Sequence, residues 1–141
     1  MSQTRSVEWL LASMMVAWGV GLMLPGDTML LPQYRLLAAI APEPVWAAWS
    51  LSMGSIRIIA LYVNGSWRRT PLLRVMGAAL GLIWWLVLGF LFKSAADGSG
   101  ALPAGLMWFP VFIGFEGYSI VRGARDSYHT GALQRWHPTR R

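Results

Sequence analysis

The sequence of 141 residues contains no cysteine. Disulfides and thiolate metal sites both require cysteine, so neither can stabilise this chain. Charged residues are also scarce, at 13% of the total, whereas they make up about 25% of a typical soluble domain. Because hydrophobic residues account for 55% of the chain, we expect much of its surface to contact lipid.

Recognisable catalytic motifs are also missing. The sequence has no H-E-x-x-H motif, no phosphate-binding loop, no Ser/His/Asp grouping and no paired carboxylates. Its two histidines, His129 and His137, lie in a basic segment with no carboxylate or thiol arranged around them. We therefore predict no enzyme activity, no metal site and no cofactor.

The net charge of +6 could indicate a nucleic-acid partner, but its distribution favours a membrane. The basic residues cluster at the ends of long apolar runs, which is the pattern that sets the orientation of membrane proteins. We therefore expect the lipid bilayer as the main partner and no nucleic acid.

Four apolar runs dominate the chain. A helix needs about 20 apolar residues to cross a bilayer, and a run buried in lipid must be helical to satisfy its peptide groups. The sequence predicts an all-α polytopic membrane protein, with one domain over 1–141 and a basic cytoplasmic tail over 122–141. The predicted transmembrane helices cover residues 8–24, 45–63, 72–92 and 102–121.

Two segments allow more than one interpretation. The first apolar run follows Arg5, as a signal peptide would, but Glu8 flanks it and no small-x-small cleavage pattern follows, which favours an uncleaved span. Residues 28–44 are apolar but interrupted by prolines and charges. They are consistent with an amphipathic interfacial piece, a re-entrant cap or a loop packed on the helices.

The arginines predict the orientation. With four spans, both termini and the second loop lie on one side of the membrane, and an excess of basic residues marks the cytoplasmic side. We therefore predict a protein of the bacterial inner membrane with both termini in the cytoplasm. The basic residues on that side are Arg5, Arg68, Arg69, Arg74, Arg122, Arg125, Arg135, Arg140 and Arg141.

Tryptophans and glycines suggest further roles. Trp9 and Trp67 are predicted as anchors at the cytoplasmic interface, and Trp46, Trp49 and Trp108 at the opposite one. Glycines let transmembrane helices approach closely. Those predicted to pack helices are Gly77 and Gly81, which form a G-x-x-x-G motif, together with Gly114 and Gly117. The motif is compatible with contacts inside one chain or with a homodimer face.

Two opposite charges fall inside the predicted spans. Arg57 and Glu116 each stand a similar number of residues before the cytoplasmic end of their span, about 9–10 Å in at 1.5 Å per residue. Because a lone charge at mid-helix costs about 2.5–3.5 kcal/mol, we predict that they form an ion pair. The pair could be functional, or it could only fix helix register, and Arg57 could instead reach the headgroups with its long stem.

Two stretches carry a resemblance to a known class of proteins. RIIALYVNGSWRRTPLLR at 57–74 and GYSIVRGARD at 117–126 resemble small four-span membrane proteins encoded in proteobacterial phages and prophages. The resemblance implies a role in the host membrane, in holin-like lysis or envelope modification, with homo-oligomers or other membrane proteins as partners.

A second resemblance, to small multidrug transporters, rests on four short spans and an acidic residue near Trp9. Those proteins place their essential carboxylate in the middle of the first span, whereas Glu8 stands at the edge here. This resemblance makes a small cation- or proton-coupled transporter one alternative function. A structural subunit of a larger membrane complex is another.

Overall fold

A computed structural model describes residues 3–66, 71–97 and 104–129. These residues form helices and connecting turns, with no strand among them. Short 3-10 turns cover Thr28–Leu30, Pro32–Tyr34 and Ala104–Met107. The α-helices are α1 (Gln3–Met23), α2 (Arg35–Ile40), α3 (Glu43–Ser66), α4 (Pro71–Ala96) and α5 (Trp108–His129).

Three of these helices are long and apolar enough to cross a membrane. The qualifying windows are Ser6–Met23 in α1, Glu43–Val63 in α3 and Leu73–Ala96 in α4, which indicates a membrane protein. The fourth long helix, α5, is not among them. It carries Glu116, Arg122, Arg125 and Asp126, and these charges lower its mean hydropathy.

The long helices extend beyond the predicted spans or are displaced from them. The largest difference is in α5, which covers Trp108–His129 where the sequence predicted a span over 102–121 followed by a tail. Pro110 lies in the first turn of α5, where its missing N–H costs no intrahelical hydrogen bond. The helix continues beyond Arg122, and the Ser127 hydroxyl donates to the Gly123 carbonyl at 2.9 Å.

Helices α1 and α3 form an antiparallel pair, which we call the first pair. Small residues bring their backbones together: a Cβ at Gly54 would lie 2.9 Å from the Val16 nitrogen, and one at Gly19 would lie 2.9 Å from the Leu51 nitrogen. In the same interface the Ser50 hydroxyl donates to the Met15 carbonyl at 2.7 Å. The polar and small residues of α3 therefore serve its contact with α1.

Helices α4 and α5 form the second pair, also antiparallel. At one end the rings of Phe92 and Phe109 lie 5.4 Å apart. At the other end the Arg74 guanidinium lies 3.2 Å from the Asp126 carboxylate. We call the first the aromatic end of the bundle and the second the charged end. Helices α1 and α3 of the first pair also begin and end at these two ends.

Residues 28–44 cover the aromatic end. Leu37 of α2 is fully buried, and its carbonyl accepts a hydrogen bond from Trp46 Nε1 at 3.0 Å. Tyr34 packs edge-on against Phe92 at 4.9 Å, and its burial, with the negative charge of Glu43, raises the pKa of its hydroxyl. Of the interpretations left open by the sequence, the structure favours a segment packed on the helices.

The interior and the surface are both apolar over most of the bundle. The core includes Met15, Leu37, Trp84, Trp85 and Leu88. Large apolar side chains also point outward, and the most exposed on the long helices include Tyr62, Phe90 and Met23. In water this surface would be a severe aggregation liability, so it fits a bundle surrounded by lipid.

We predict that Gly54→Ala lowers the free energy of unfolding of the detergent-solubilised protein by about 1–3 kcal/mol, as measured by thermal unfolding. The added methyl group would force α1 and α3 apart. Gly114→Ala is the matched control. Nothing lies within 4 Å of a Cβ at that position, and alanine favours helix by up to about 1 kcal/mol. Equal stability changes in the two variants would contradict the observed packing of the first pair.

Candidate functional site: buried charges between two helix pairs

The structure brings Arg57 and Glu116 into direct contact. Arg57 Nη1 donates to Glu116 Oε1 at 2.5 Å, and Nη2 donates to Oε2 at 2.9 Å. The exposed fraction is 5% for Arg57 and zero for Glu116. This bidentate geometry is the strongest that an arginine and a carboxylate can form. Arg57 Nη1 also lies 3.3 Å from Met15 Sδ.

Gly81 makes room for this pair. A Cβ on Gly81 would overlap both Arg57 Nη1 and Glu116 Oε1, and one on Gly77 would lie 3.9 Å from the Arg57 side chain. The G-x-x-x-G motif of α4 therefore faces the inside of the chain. It accommodates two charged side chains, whereas the sequence predicted the close approach of another backbone.

A second group of charges lies nearer the charged end. Arg74 donates from Nε to Glu8 Oε2 at 3.0 Å and from Nη2 to Glu8 Oε1 at 2.6 Å. Its Nη1 also donates to Asp126 Oδ2 at 3.2 Å. Glu8 is only 2% exposed, so its carboxylate depends on Arg74 for compensation.

Of the three ion pairs described here, two cross from the first helix pair to the second. Arg57 on α3 meets Glu116 on α5, and Glu8 on α1 meets Arg74 on α4. The third joins Arg74 to Asp126 within the second pair. We call this surface the charged seam, formed by Glu8, Arg57, Arg74, Glu116 and Asp126.

The energetics of the seam make it specific. Removing a charge from water costs several kcal/mol, which its partner offsets only when the geometry is good, and loss of one partner costs about 3–5 kcal/mol. Other arrangements of the two pairs would leave these charges uncompensated. The seam therefore selects one alignment of the first pair against the second.

Sequence reasoning did not identify the Glu8–Arg74–Asp126 group. Glu8 was interpreted as a polar flank, and Arg74 as one of the cytoplasmic basic residues. The sequence contained a signal for this group, because Glu8 lies at the start of the first predicted span and Arg74 near the start of the third. These two spans start on the same side of the membrane, so both residues belong to the same end of the bundle. Asp126 fell in the predicted tail and was not considered.

Several other predicted site residues lie away from the seam. A Cβ at Gly114 or Gly117 would meet nothing within 4 Å, so these two glycines make no close helix contact within the described part of the chain. Gly19 and Gly54 make the close contacts instead.

The tryptophans and arginines predicted at the membrane interfaces differ in their exposure. Trp46 belongs to the core, and its indole N–H donates to the Leu37 carbonyl. Trp49 and Trp108 are exposed, and Trp9 is half-buried. Arg122 and Arg125 are exposed, and Arg122 donates to the Tyr118 hydroxyl at 2.9 Å. Trp67, Arg68 and Arg69 lie outside the described residues.

A cavity of about 200 Å³ borders the seam. Glu8, Arg57 and Arg74 contribute to its wall, and the remaining lining consists of residues of α3 and α4. Among the described residues, no three His, Cys, Asp or Glu side chains come together as metal ligands would. The seam therefore offers paired charges beside a cavity whose wall is otherwise mostly apolar.

We predict that Glu116→Gln destabilises the protein in detergent by about 3–5 kcal/mol, because Arg57 is then buried without a counter-charge. The double variant Arg57→Gln with Glu116→Gln should recover most of this loss in thermal unfolding. The control is the exposed pair formed by Lys93 and Asp97 at 2.8 Å. Neutralising Asp97 should cost about 0.5 kcal/mol or less.

The prediction fails if the single and double variants unfold at the same temperature. Equal losses for Glu116→Gln and Asp97→Asn would contradict it as well, because the buried pair would then be no more important than the exposed one.

Comparison with known proteins gives no relative. No protein-family model, no curated protein and no solved structure matches this chain.

Proposed function

We propose that this chain is a four-helix protein of the bacterial inner membrane, of phage or prophage origin, that permeabilises the host membrane in the manner of a holin. The observation that carries the proposal is the charged seam, which joins two helix pairs whose outer surfaces are apolar. The wider context is lysis or modification of the host envelope.

The packing of α5 supports a fourth span. It runs antiparallel to α4 from the Phe92–Phe109 contact to the Arg74–Asp126 contact, which is about 27 Å of α4 at 1.5 Å per residue. Because α4 is long and apolar enough to cross a membrane, α5 lies beside nearly the whole of a span. Its charges Glu116 and Asp126 are paired within the bundle, which reduces the cost of placing them in lipid.

The distribution of basic residues supports the orientation. The charged end contains the beginning of α1, the end of α3, the beginning of α4 and the end of α5. The sequence places Arg68 and Arg69 between α3 and α4, and Arg135, Arg140 and Arg141 after α5. By the positive-inside rule this end faces the cytoplasm.

The seam supplies a physical route to permeability. Charged side chains inside a membrane are stable when paired or when they line a water-filled cavity. If the two pairs separate within an oligomer, the side chains of the seam exchange their partners for water. The apolar outer faces then pack against other copies or lipid, and the opened seam forms the wall of an aqueous path.

A second candidate function is cation- or proton-coupled transport. The observation that favours it is the fully buried Glu116, whose partner Arg57 lines the cavity of about 200 Å³ together with Glu8 and Arg74. A buried carboxylate close to a cavity is a common arrangement for proton relays in transporters.

We predict that induced expression in a bacterial host abolishes the membrane potential abruptly and arrests growth, as measured with a potential-sensitive dye. The double variant Arg57→Gln with Glu116→Gln should delay this loss, because the opened path is then less able to hold water. The control variant Lys93→Gln with Asp97→Asn should behave as the natural chain does, since that pair is exposed at the other end of α4.

The protein level in the membrane fraction is matched between variants by immunoblotting. The holin-like role is overturned if the membrane potential is unchanged after expression at matched protein levels. If the protein then makes cells resistant to a cationic dye, and this resistance requires Glu116, the protein is a transporter. If it is inactive in both assays, the structural-subunit role remains.

A further inference from the structure

The cavity beside the charged seam is an elongated groove between α3 and α4, which we call the lateral groove. Its volume is about 200 Å³. Its lining follows α3 from Met53 to Leu61 and α4 from Leu73 to Leu80, which is about 10–12 Å along each helix at 1.5 Å per residue. The groove therefore runs parallel to two helices that are long and apolar enough to cross a membrane. Lipid chains lie along the same direction.

The lateral groove opens onto the outer surface of the bundle. Ile56 and Met76 line it and are 64% and 54% exposed. Small residues keep it open: Ala60 and Gly77 belong to its wall, and the atoms nearest to a Cβ on Gly77 would be those of the Arg57 side chain, at 3.9 Å. The apolar outer surface therefore continues into the groove, and a hydrocarbon chain can enter it sideways from the membrane.

The wall of the groove favours hydrocarbon over water. A buried water molecule needs about two to four polar partners. The charged residues of the wall are Glu8, Arg57 and Arg74, and each of them is already paired within the seam. The other lining side chains are apolar, so a hydrocarbon chain fits this space better than a cluster of water molecules does.

The charge of the bundle indicates which lipid head accompanies that chain. The sequence assigns nine of the eleven arginines to the charged end, against the carboxylates of Glu8 and Asp126. Arg74 lies where the groove approaches this end, and its side chain is 14% exposed. Basic residues near a membrane surface attract anionic lipid heads. A phospholipid whose chain lies in the groove has its head beside this basic end, which favours a negatively charged head.

We propose that the lateral groove binds one acyl chain of an anionic phospholipid, such as phosphatidylglycerol, with the phosphate head at the charged end. The bound chain packs against the apolar wall and keeps water away from the Arg57–Glu116 pair. The binding of this lipid does not depend on whether the protein permeabilises membranes.

The test compares two phospholipids that differ only in their heads. The full chain in an uncharged detergent is titrated with phosphatidylglycerol or with phosphatidylethanolamine of identical acyl chains, and native mass spectrometry counts the bound lipids. We expect saturable binding of one phosphatidylglycerol per chain. Phosphatidylethanolamine should bind about fivefold more weakly or worse, because one nearby arginine contributes about that factor for an anionic head.

Matched variants locate the site on α3. Ala60→Leu should weaken phosphatidylglycerol binding by about tenfold, because the larger side chain occupies part of the groove and displaces about two methylene groups of the lipid chain. Ala48→Leu is the control, since Ala48 is exposed on the same helix and does not line the groove. It should leave the affinity unchanged.

The proposal is overturned if the natural chain shows no saturable binding of phosphatidylglycerol, or if phosphatidylethanolamine binds as tightly. Equal effects of Ala60→Leu and Ala48→Leu overturn it as well. So do lipid-free dimers that dissociate in Ala60→Leu, because a second copy of the chain would then cover the groove. The comparison of the two lipids uses the natural chain alone, so it remains decisive if Ala60→Leu fails to fold.

Discussion

The contact between Arg57 and Glu116 determines how the rest of the molecule is arranged. It lies beside Gly81, near the middle of α4, with both side chains buried. It joins a helix of the first pair to a helix of the second. Within each pair the helices are held by close packing, through small residues in the first and aromatic rings in the second. Between the pairs, Trp84 packs against Trp18 and Trp46. The charged seam adds specificity, because each buried charge requires its own partner.

The chain reverses the usual distribution of polarity in a soluble domain. Its buried polar groups include Glu8, Arg57 and Glu116, whereas large apolar residues such as Phe90 remain exposed. Lipid around the bundle removes the cost of the exposed apolar surface, and pairing reduces the cost of the buried charges. The two ends of the bundle then differ in chemistry, with ion pairs at one end and packed aromatic rings at the other.

The helical class and most of the helix positions could be predicted, because long apolar runs have only one stable form in lipid. The pairing of Arg57 with Glu116 could also be predicted, since two isolated opposite charges at one depth have few other partners. The role of Gly81 could not, because a G-x-x-x-G motif does not reveal whether a backbone or a side chain fills its groove. The burial of Trp46 could not be predicted either, because its hydrogen bond to the Leu37 carbonyl depends on the fold of the segment before α3.

The most direct test of the account measures distances across the seam and within a helix pair. Because the chain has no cysteine, spin labels can be attached only at introduced ones, at Ile59 and Val121 across the seam and at Ile83 and Phe115 within the second pair. Pulsed electron paramagnetic resonance in lipid nanodiscs should give narrow distributions for both pairs of labels. With Glu116→Gln, the account predicts a broader and longer distribution across the seam and an unchanged one within the pair. Unchanged distributions at both would contradict the claim that the buried charges hold the two helix pairs together.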